Sequence, residues 1–399
     1  MPKLLIVNVT CNQGSTGKIS EQVGMMMQNR GWDVYYAHGQ RRVNPSQLKT
    51  IHFSSVRVEY LHALKSLLHD ADGLGSTKAT ERLVEQIKEI KPDVIQIHNI
   101  HGYYLNYKIL FEYLNSCSIP VVITLHDCWN FTGHCTHFVT AKCEKWKTGC
   151  YSCPLLNVSP KSFIDRSSRN YLLKKRLFLG NDNLHLIPVS HWLESMVKQS
   201  FLKDIDTRVI HNGIDLNVFR PQKQNSQTIF KILGVANVWI KEKGIYDIYE
   251  LRKLLGKEYE ITLVGLSKKQ IEKLPDGIVG ITSTSNQHEL TKLYSDADVL
   301  INPTYADTYP TINLEALACG TPVITYKTGG SPESLSSETG VVLEQGDIKG
   351  MALAIMKMKD KPLSSKACSD YAKEHFDKDK CFLEYVTLYN ELIKNGKRL

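Results

Sequence analysis

Strand-sized apolar runs, each followed by a helical pattern, recur from one end of this chain to the other. Leu4–Val9, Asp33–Ala37, Asp93–Ile97, Val121–Leu125 and Leu186–Val189 make one set. Phe230–Val235, Glu260–Val264, Gly277–Ile281, Val299–Asn302 and Val323–Thr325 make a second. Short continuous runs of this kind suit strands buried on both faces. A strand parallel to its predecessor is reached only through a crossover, which is right-handed and usually helical. The pattern therefore predicts an α/β chain of two doubly wound, Rossmann-like domains. Length agrees, because 399 residues exceed what one core supports and divide into halves of roughly 200.

The segment His211–Pro221, with the polar stretch Gln222–Thr228 after it, is the linker candidate. We expect domains at 1–205 and 206–379, with residues 380–399 containing a last helix, Cys381–Lys394, that packs back on the first domain. No run approaches the ~18 apolar residues of a membrane helix. Met1–Val9 lacks a cleavage site and reads as a buried strand rather than a secretion signal, so a cytoplasmic location is expected. There the ten cysteines are reduced thiols or metal ligands. The net charge of +8 is mild and suits an anionic small molecule or a membrane surface; no nucleic-acid partner is expected.

After the first strand comes Cys11-Asn-Gln-Gly-Ser-Thr-Gly-Lys-Ile-Ser20. A nucleotide-hydrolase phosphate loop needs four residues between its glycines and a hydroxyl after the lysine. Here Ser15 and Thr16 alone separate Gly14 from Gly17, and Ile19 follows Lys18. What remains is a turn leading to a helix that begins near Gly17, either a plain connection or an anion site at a helix amino end.

In the second half, Asn302–Ile324 reads as a strand end, a loop carrying Asp307, and a short helix that begins near Thr311 and carries Glu315. Gly320 closes the helix and Pro322 leads to the next strand. Carboxylates so placed suit the diol of a ribose or hexose, and the N–H groups of Thr311 and Ile312 suit a diphosphate. This segment resembles the paired-acid signature of the retaining glycosyltransferases of family 4, built as two Rossmann-like domains facing each other across a cleft (GT-B). The Gly14–Gly17 loop, Leu125-His126-Asp127, Pro188-Val-Ser190, Asn212-Gly-Ile-Asp215, Lys243-Gly244 and Gly329-Gly-Ser-Pro-Glu333 fall in the family's order.

The resemblance implies roles. Glu315 accepts the ribose hydroxyls of a nucleotide-diphosphate sugar, Asp307 faces the donor hexose, Lys243 pairs with the leaving diphosphate, and His126 touches the sugar near the cleaved bond. Catalysis in the family requires no metal. Two departures stand out: the first acid is Asp307, one methylene shorter than Glu, and Asn237 stands near where an arginine is expected, leaving Lys241, Arg208 or Arg252 to substitute. On the acceptor side, His98, His101 and Tyr103 follow a strand.

Between His126 and Pro154 lie Cys135, Cys143, Cys150 and Cys153. The last pair is C-x₂-C, and the loop is poor in aliphatics, so a structural zinc is one reading. An iron–sulfur cluster, free thiols or disulfides are the others. His134 and His137 are substitute ligands. The cluster resembles a subgroup assigned to exopolysaccharide and colanic-acid-type assembly. Residues Lys161–Phe178 mix Phe163, Ile164, Tyr171, Leu172 and Phe178 with Arg166, Arg169, Lys174, Lys175 and Arg176. Such a stretch suits an anionic leaflet or packing on the first sheet.

The resemblance thus implies transfer of a sugar from a nucleotide-diphosphate donor to a saccharide acceptor, lipid-linked at the cytoplasmic face of the inner membrane, in bacterial surface-polysaccharide synthesis. The alternatives are a nucleotide-sugar epimerase or hydrolase of the same fold and a catalytically silent sugar-nucleotide scaffold.

Overall fold

The computed structural model describes residues 1–222 and 229–396. Past Gln222, the polar stretch read as a linker lies outside the described residues, as do the last three residues of the expected C-terminal segment. The chain divides into two compact units: unit 1, Met1–His211 with Phe382–Leu399, and unit 2, Asn212–Cys381.

Unit 1 is built on a seven-stranded sheet of β1 (Lys3–Asn8), β2 (Asp33–His38), β3 (Lys49–Ile51), β4 (Val94–Ile97), β5 (Val121–Leu125), β6 (Leu184–Pro188) and β7 (Asp206–Thr207). Its order is β3-β2-β1-β4-β5-β6-β7. Unit 2 has six strands, β8 (Phe230–Val235), β9 (Tyr259–Val264), β10 (Ile278–Ile281), β11 (Val299–Asn302), β12 (Val323–Tyr326) and β13 (Gly340–Leu343), ordered β10-β9-β8-β11-β12-β13. The pairings are parallel throughout. All ten runs read as strands form, with ends shifted by a residue or two. The three not foreseen are edge strands. β3 and β7 are short and polar, and β13 opens on Gly340; an edge strand pairs on one side only and needs no continuous apolar run.

Leu4–Val7 of β1 and all of β5 are buried, as continuous apolar strands under two helix layers must be. The Leu383–Gly396 helix completes this core, with the Tyr385 hydroxyl 3.1 Å from Thr124 Oγ1 and the Tyr389 ring 6.1 Å from that of Trp32. Unit 2 has its own core, in which Ile232, Leu251, Ile261, Ile301, Ile324 and Ile355 meet. Truncating any of these to alanine costs about 2–5 kcal/mol.

Topology fixes where ligands fit. In each unit the chain leaves its first strand to one side and later returns on the other, so the order reverses between β1 and β4 and between β8 and β11. The crevice outside the carboxyl ends at such a reversal is the natural binding place of an open parallel sheet.

Candidate active site

In unit 2, the chain leaving β8 makes a turn at Lys241–Lys243 and enters the Ile245–Leu254 helix through Gly244. Gly244 has φ +74°, and a Cβ there would lie 2.2 Å from the Pro303 carbonyl oxygen. Only glycine lets this turn press against the end of β11. Lys243 is thereby set against the β11 loop, its Nζ 2.8 Å from Asp307 Oδ2 and 3.4 Å from Ala306 O. Gly329, φ +53°, supports the same loop from the β12 side, where a Cβ would meet Asp307 O at 1.7 Å.

The Thr311–Ala318 helix follows, with no side chain capping its amino end. The N–H groups of Thr311 and Ile312 are thus the available donors of an uncapped first turn. A buried polar network holds the helix at this angle. Asn313 Oδ1 accepts from Asn302 Nδ2 at 2.9 Å, and its Nδ2 donates to Ser331 and Ser334 at 3.2 and 3.0 Å. Glu315 lies a turn further on, and its Oε2 accepts from the buried Tyr294 hydroxyl at 2.8 Å. Burial, then the Glu315 charge, pushes that hydroxyl well above its ordinary pKa, so it stays a donor. Tyr294 and Asn313 were not anticipated from sequence; a polar Asn inside an otherwise apolar helix was the one available signal.

The arginine substitutes have partners of their own within their units. Arg252 donates to the carbonyls of Tyr259, Leu255 and Gly256, and Arg208 pairs with Glu391 in unit 1. Lys241 and Asn237 are exposed beyond β8. A cavity of about 390 Å³ against Phe230, Asp298 and Pro322 lies at the opposite, amino end of the strands and has no share in this chemistry.

In unit 1, the helix after β1 begins at Gly14, not near Gly17, again without a side-chain cap. Gly17 sits in its first turn because a Cβ there would meet Thr10 Oγ1 at 2.7 Å. From the ends of β4 and β5 come four polar side chains in two pairs. His98 Nδ1 is 2.9 Å from His126 Nε2, with the rings stacked 5.2 Å apart. His101 Nε2 is 2.8 Å from Asp127 Oδ2.

The pairs differ electrically. Burial lowers His126 to about 4 and drives His98 well below its usual value, so their shared hydrogen bond is between neutral rings. Burial also opposes charge on His101 and Asp127, but their mutual attraction outweighs it, raising His101 and lowering Asp127 to about 2. Asp127, which follows His126 directly, also accepts from the Trp129 N–H at 2.9 Å. Nearby, a cavity of about 290 Å³ is lined by Thr16, Arg41, Arg42, Asp72, His101 and Tyr103.

Two expectations change here. The four thiols Cys135, Cys143, Cys150 and Cys153 do line one small cavity. Yet among the described residues no three His, Cys, Asp or Glu side chains stand together so as to hold a metal ion. The tetrahedral zinc or iron–sulfur set therefore does not fit this arrangement. The four are free thiols, and burial, with the charge of the neighbouring thiols, raises Cys135, Cys150 and Cys153 above the ordinary thiol value. His134, a substitute ligand by sequence, instead bonds Asp70 at 2.6 Å.

The stretch Lys161–Phe178 is split. In its Ser167–Leu179 helix, Tyr171, Leu177 and Phe178 are buried, whereas Phe163 and Ile164 before the helix are exposed. Lys174 is no surface cation: it is buried, donating to Trp129 O at 2.6 Å and Thr132 O at 3.0 Å.

Comparison with known proteins places this geometry in context. Residues 22–218 match the family model described as Glycosyltransferase Family 4, and residues 219–375 that of Glycosyl transferases group 1. A relative from Escherichia coli K12, described as a putative colanic acid biosynthesis glycosyl transferase WcaC, is 28% identical over 64% of this chain and 65% of its own length. A Campylobacter jejuni relative, N,N'-diacetylbacillosaminyl-diphospho-undecaprenol alpha-1,3-N-acetylgalactosaminyltransferase, is 25% identical over 46% of this chain and 54% of its own. Among solved structures, a sucrose-phosphate synthase from Thermosynechococcus elongatus superposes with TM-score 0.77 at 18% identity, covering 99% of this chain and 100% of that one. Anabaena HepE in complex with UDP-glucose does so with TM-score 0.63 at 14% identity, covering 100% of both chains. No helix among the described residues is long and apolar enough to cross a membrane.

Proposed function

Because the chain belongs to the glycosyltransferases, matching the family 4 model through its first half and the group 1 model through its second, we propose that it transfers a sugar from a nucleotide-diphosphate donor to a saccharide acceptor carried on a lipid diphosphate. The observation that carries this reading is the β8/β11 switch point, where Lys243, Asp307, the uncapped Thr311–Ala318 helix and Glu315 stand together.

In unit 2, the diphosphate lies on the Thr311 and Ile312 N–H groups and takes Lys243 as its counter-ion. Glu315, steadied by Tyr294, accepts the ribose hydroxyls, and Asp307 turns to the hexose. The Lys243–Asp307 ion pair keeps both groups neutralised until a donor divides them. In the reaction, the bond from the anomeric carbon to the diphosphate oxygen breaks. An acceptor hydroxyl oxygen bonds to that carbon on the same face, and its proton passes to the departing diphosphate. Lys243 and the helix end stabilise the charge that gathers there. HepE, of like fold, is described in complex with UDP-glucose, which supports a nucleotide-diphosphate sugar as donor.

For unit 1 we assign His126, neutral and fixed by His98, to the sugar near the reacting carbon, and Gly14 and Gly17 to the loop beside it. His101 and Tyr103 line the acceptor cavity, where Arg41 and Arg42 suit a diphosphate. The Campylobacter relative, named for a diphospho-undecaprenol acceptor, supports that choice. The E. coli relative supports a surface-polysaccharide pathway and hence work at the cytoplasmic membrane face.

The test incubates UDP-, GDP- and ADP-sugars with and without an undecaprenyl-diphosphate saccharide and follows both products. We expect one donor class to raise the melting temperature and to be consumed only with acceptor. Equal nucleotide release with and without acceptor would make the protein a hydrolase.

A further inference from the structure

The Val56–His69 helix in unit 1 is packed inside out. Capped by Ser55, it turns Glu59, His62 and Ser66 inward. Glu59 accepts from the Gln40 N–H, and His62 accepts from the Gly75 N–H. Its large apolar side chains face outward: Val56, Tyr60, Leu61, Leu64 and Leu68 are 42%, 64%, 69%, 53% and 41% exposed. The i, i+4 spacing of Val56, Tyr60, Leu64 and Leu68 stacks them in one stripe with Leu61 beside it. Phe163, 74% exposed, extends the stripe, since its N–H donates to Leu67 O at 2.8 Å, and Ile164 follows it.

Cations frame the stripe. Arg57 and Lys65 are exposed on the same helix, and no acidic residue is. The Arg41 guanidinium lies 5.3 Å over the Tyr60 ring. Unit 1 carries 28 Lys and Arg against 19 Asp and Glu, whereas unit 2 carries 21 against 22. The basic excess of the chain therefore lies wholly in the unit that bears this face. An exposed apolar stripe edged by cations on a basic body fits the interface of an anionic bilayer, with leucines below the headgroups and cations among the phosphates.

We propose that the Val56–His69 helix, with Phe163, seats unit 1 on an anionic lipid surface. Arg41 belongs both to this face and to the wall of the 290 Å³ cavity, so the seat adjoins the cavity that receives the acceptor. That purpose rests on the lipid-linked reading above; the lipid contact itself does not.

The test is co-sedimentation of the full chain with vesicles of phosphatidylglycerol and phosphatidylethanolamine, or of phosphatidylcholine alone, without donor or acceptor. We expect binding to the anionic vesicles that weakens with salt. It should fall at least about tenfold in Leu61→Glu/Leu64→Glu and roughly fivefold in Arg57→Glu, with melting temperatures and turnover of a short-chain, water-soluble acceptor unchanged. Equal binding of wild type and variants would overturn the proposal, as would a dimer that Leu61→Glu/Leu64→Glu renders monomeric, which would make this face an interface between copies. Failure of the transferase reading would show in turnover and leave vesicle binding intact.

Discussion

At the carboxyl edge of β8 and β11, a cation and two carboxylates stand partly in solvent, Lys243 against Asp307 and Tyr294 against Glu315. At the carboxyl edge of β4 and β5, His98 and Asp127 are buried, His101 and His126 are half-buried, and all four are settled in fixed pairs. One edge keeps its charges exchangeable, as the diphosphate site proposed there requires. The other holds its protons in place, as the sugar-orienting role proposed for His126 requires. Both are carboxyl edges of parallel sheets, and the second is the more deeply buried by degree.

That contrast breaks most readily at Asp127. Asp127→Asn removes the charge that raises His101 and leaves burial to favour the neutral ring, so the loss of the charge-assisted bond should cost about 1.5–3 kcal/mol, read by urea denaturation. With Asp127 at about 2 against an ordinary 3.8, the stability it contributes is complete above the ordinary value and is lost as pH falls toward 2. The asparagine variant should lack that acid-induced loss. A cost under about 1 kcal/mol would mean the pair is screened like a surface bridge, and the two edges would not differ as described. Next in size is Lys243→Ala. Its ion pair is partly exposed and should contribute less than about 1 kcal/mol to folding, whereas turnover should fall by about 10²–10³. An unfolded variant, or one of near wild-type turnover, removes the distinction from the other side.

The two edges were also unequally legible. Asp307, Thr311, Glu315 and Gly329 lie in one continuous stretch, where Gly329 is demanded by the Asp307 carbonyl, as Gly244 far upstream is by that of Pro303, so steric need left its mark in the residue order. The strands, too, were readable from apolar runs, apart from edge strands with a single pairing partner. In unit 1, His98 and His101 were visible only as residues beyond a strand end, and His126 through its place in the family's order. Which ring meets which acid depends on the β4–β5 register, with Ile97 opposite Ile123, and no local pattern states a register. Lys174 was misread because basic neighbours on a helix suggest a wet face. The carbonyls that draw it inward belong to Trp129 and Thr132, more than forty positions earlier. The four thiols have the spacing of a metal set, but spacing does not fix whether a long loop closes to ligand distance.

A smaller effect sharpens the unit 2 side. Tyr294→Phe removes the hydroxyl that steadies Glu315, a bond to a charged group contributing about 1.5–3 kcal/mol. If Glu315 holds the ribose, the Michaelis constant for the donor should rise roughly tenfold or more with a lesser change in kcat. An unchanged constant would detach Glu315 from donor binding.

The smallest effect tests the withdrawn character of unit 1 away from its histidines. Burial, opposed by the charges of Asp72 and nearby groups, brings Lys174 from 10.5 down to about 7. Below pH 7 it is protonated whether the chain is folded or not, and stability has no slope from it. Above pH 7 the unfolded chain keeps a proton that the folded one releases, so folding gains with pH, by at most about 1.4 kcal/mol per unit. The buried thiols act oppositely near pH 9, where Cys150, raised to about 11, stays protonated in the folded chain alone. The comparison therefore belongs between pH 7 and about 8.5, as the difference in unfolding free energy between wild type and Lys174→Met. Wild type should gain on the variant as pH rises. Parallel curves would mean that Lys174 keeps its charge on Trp129 and Thr132, and that this face of unit 1 is wetter than its packing implies.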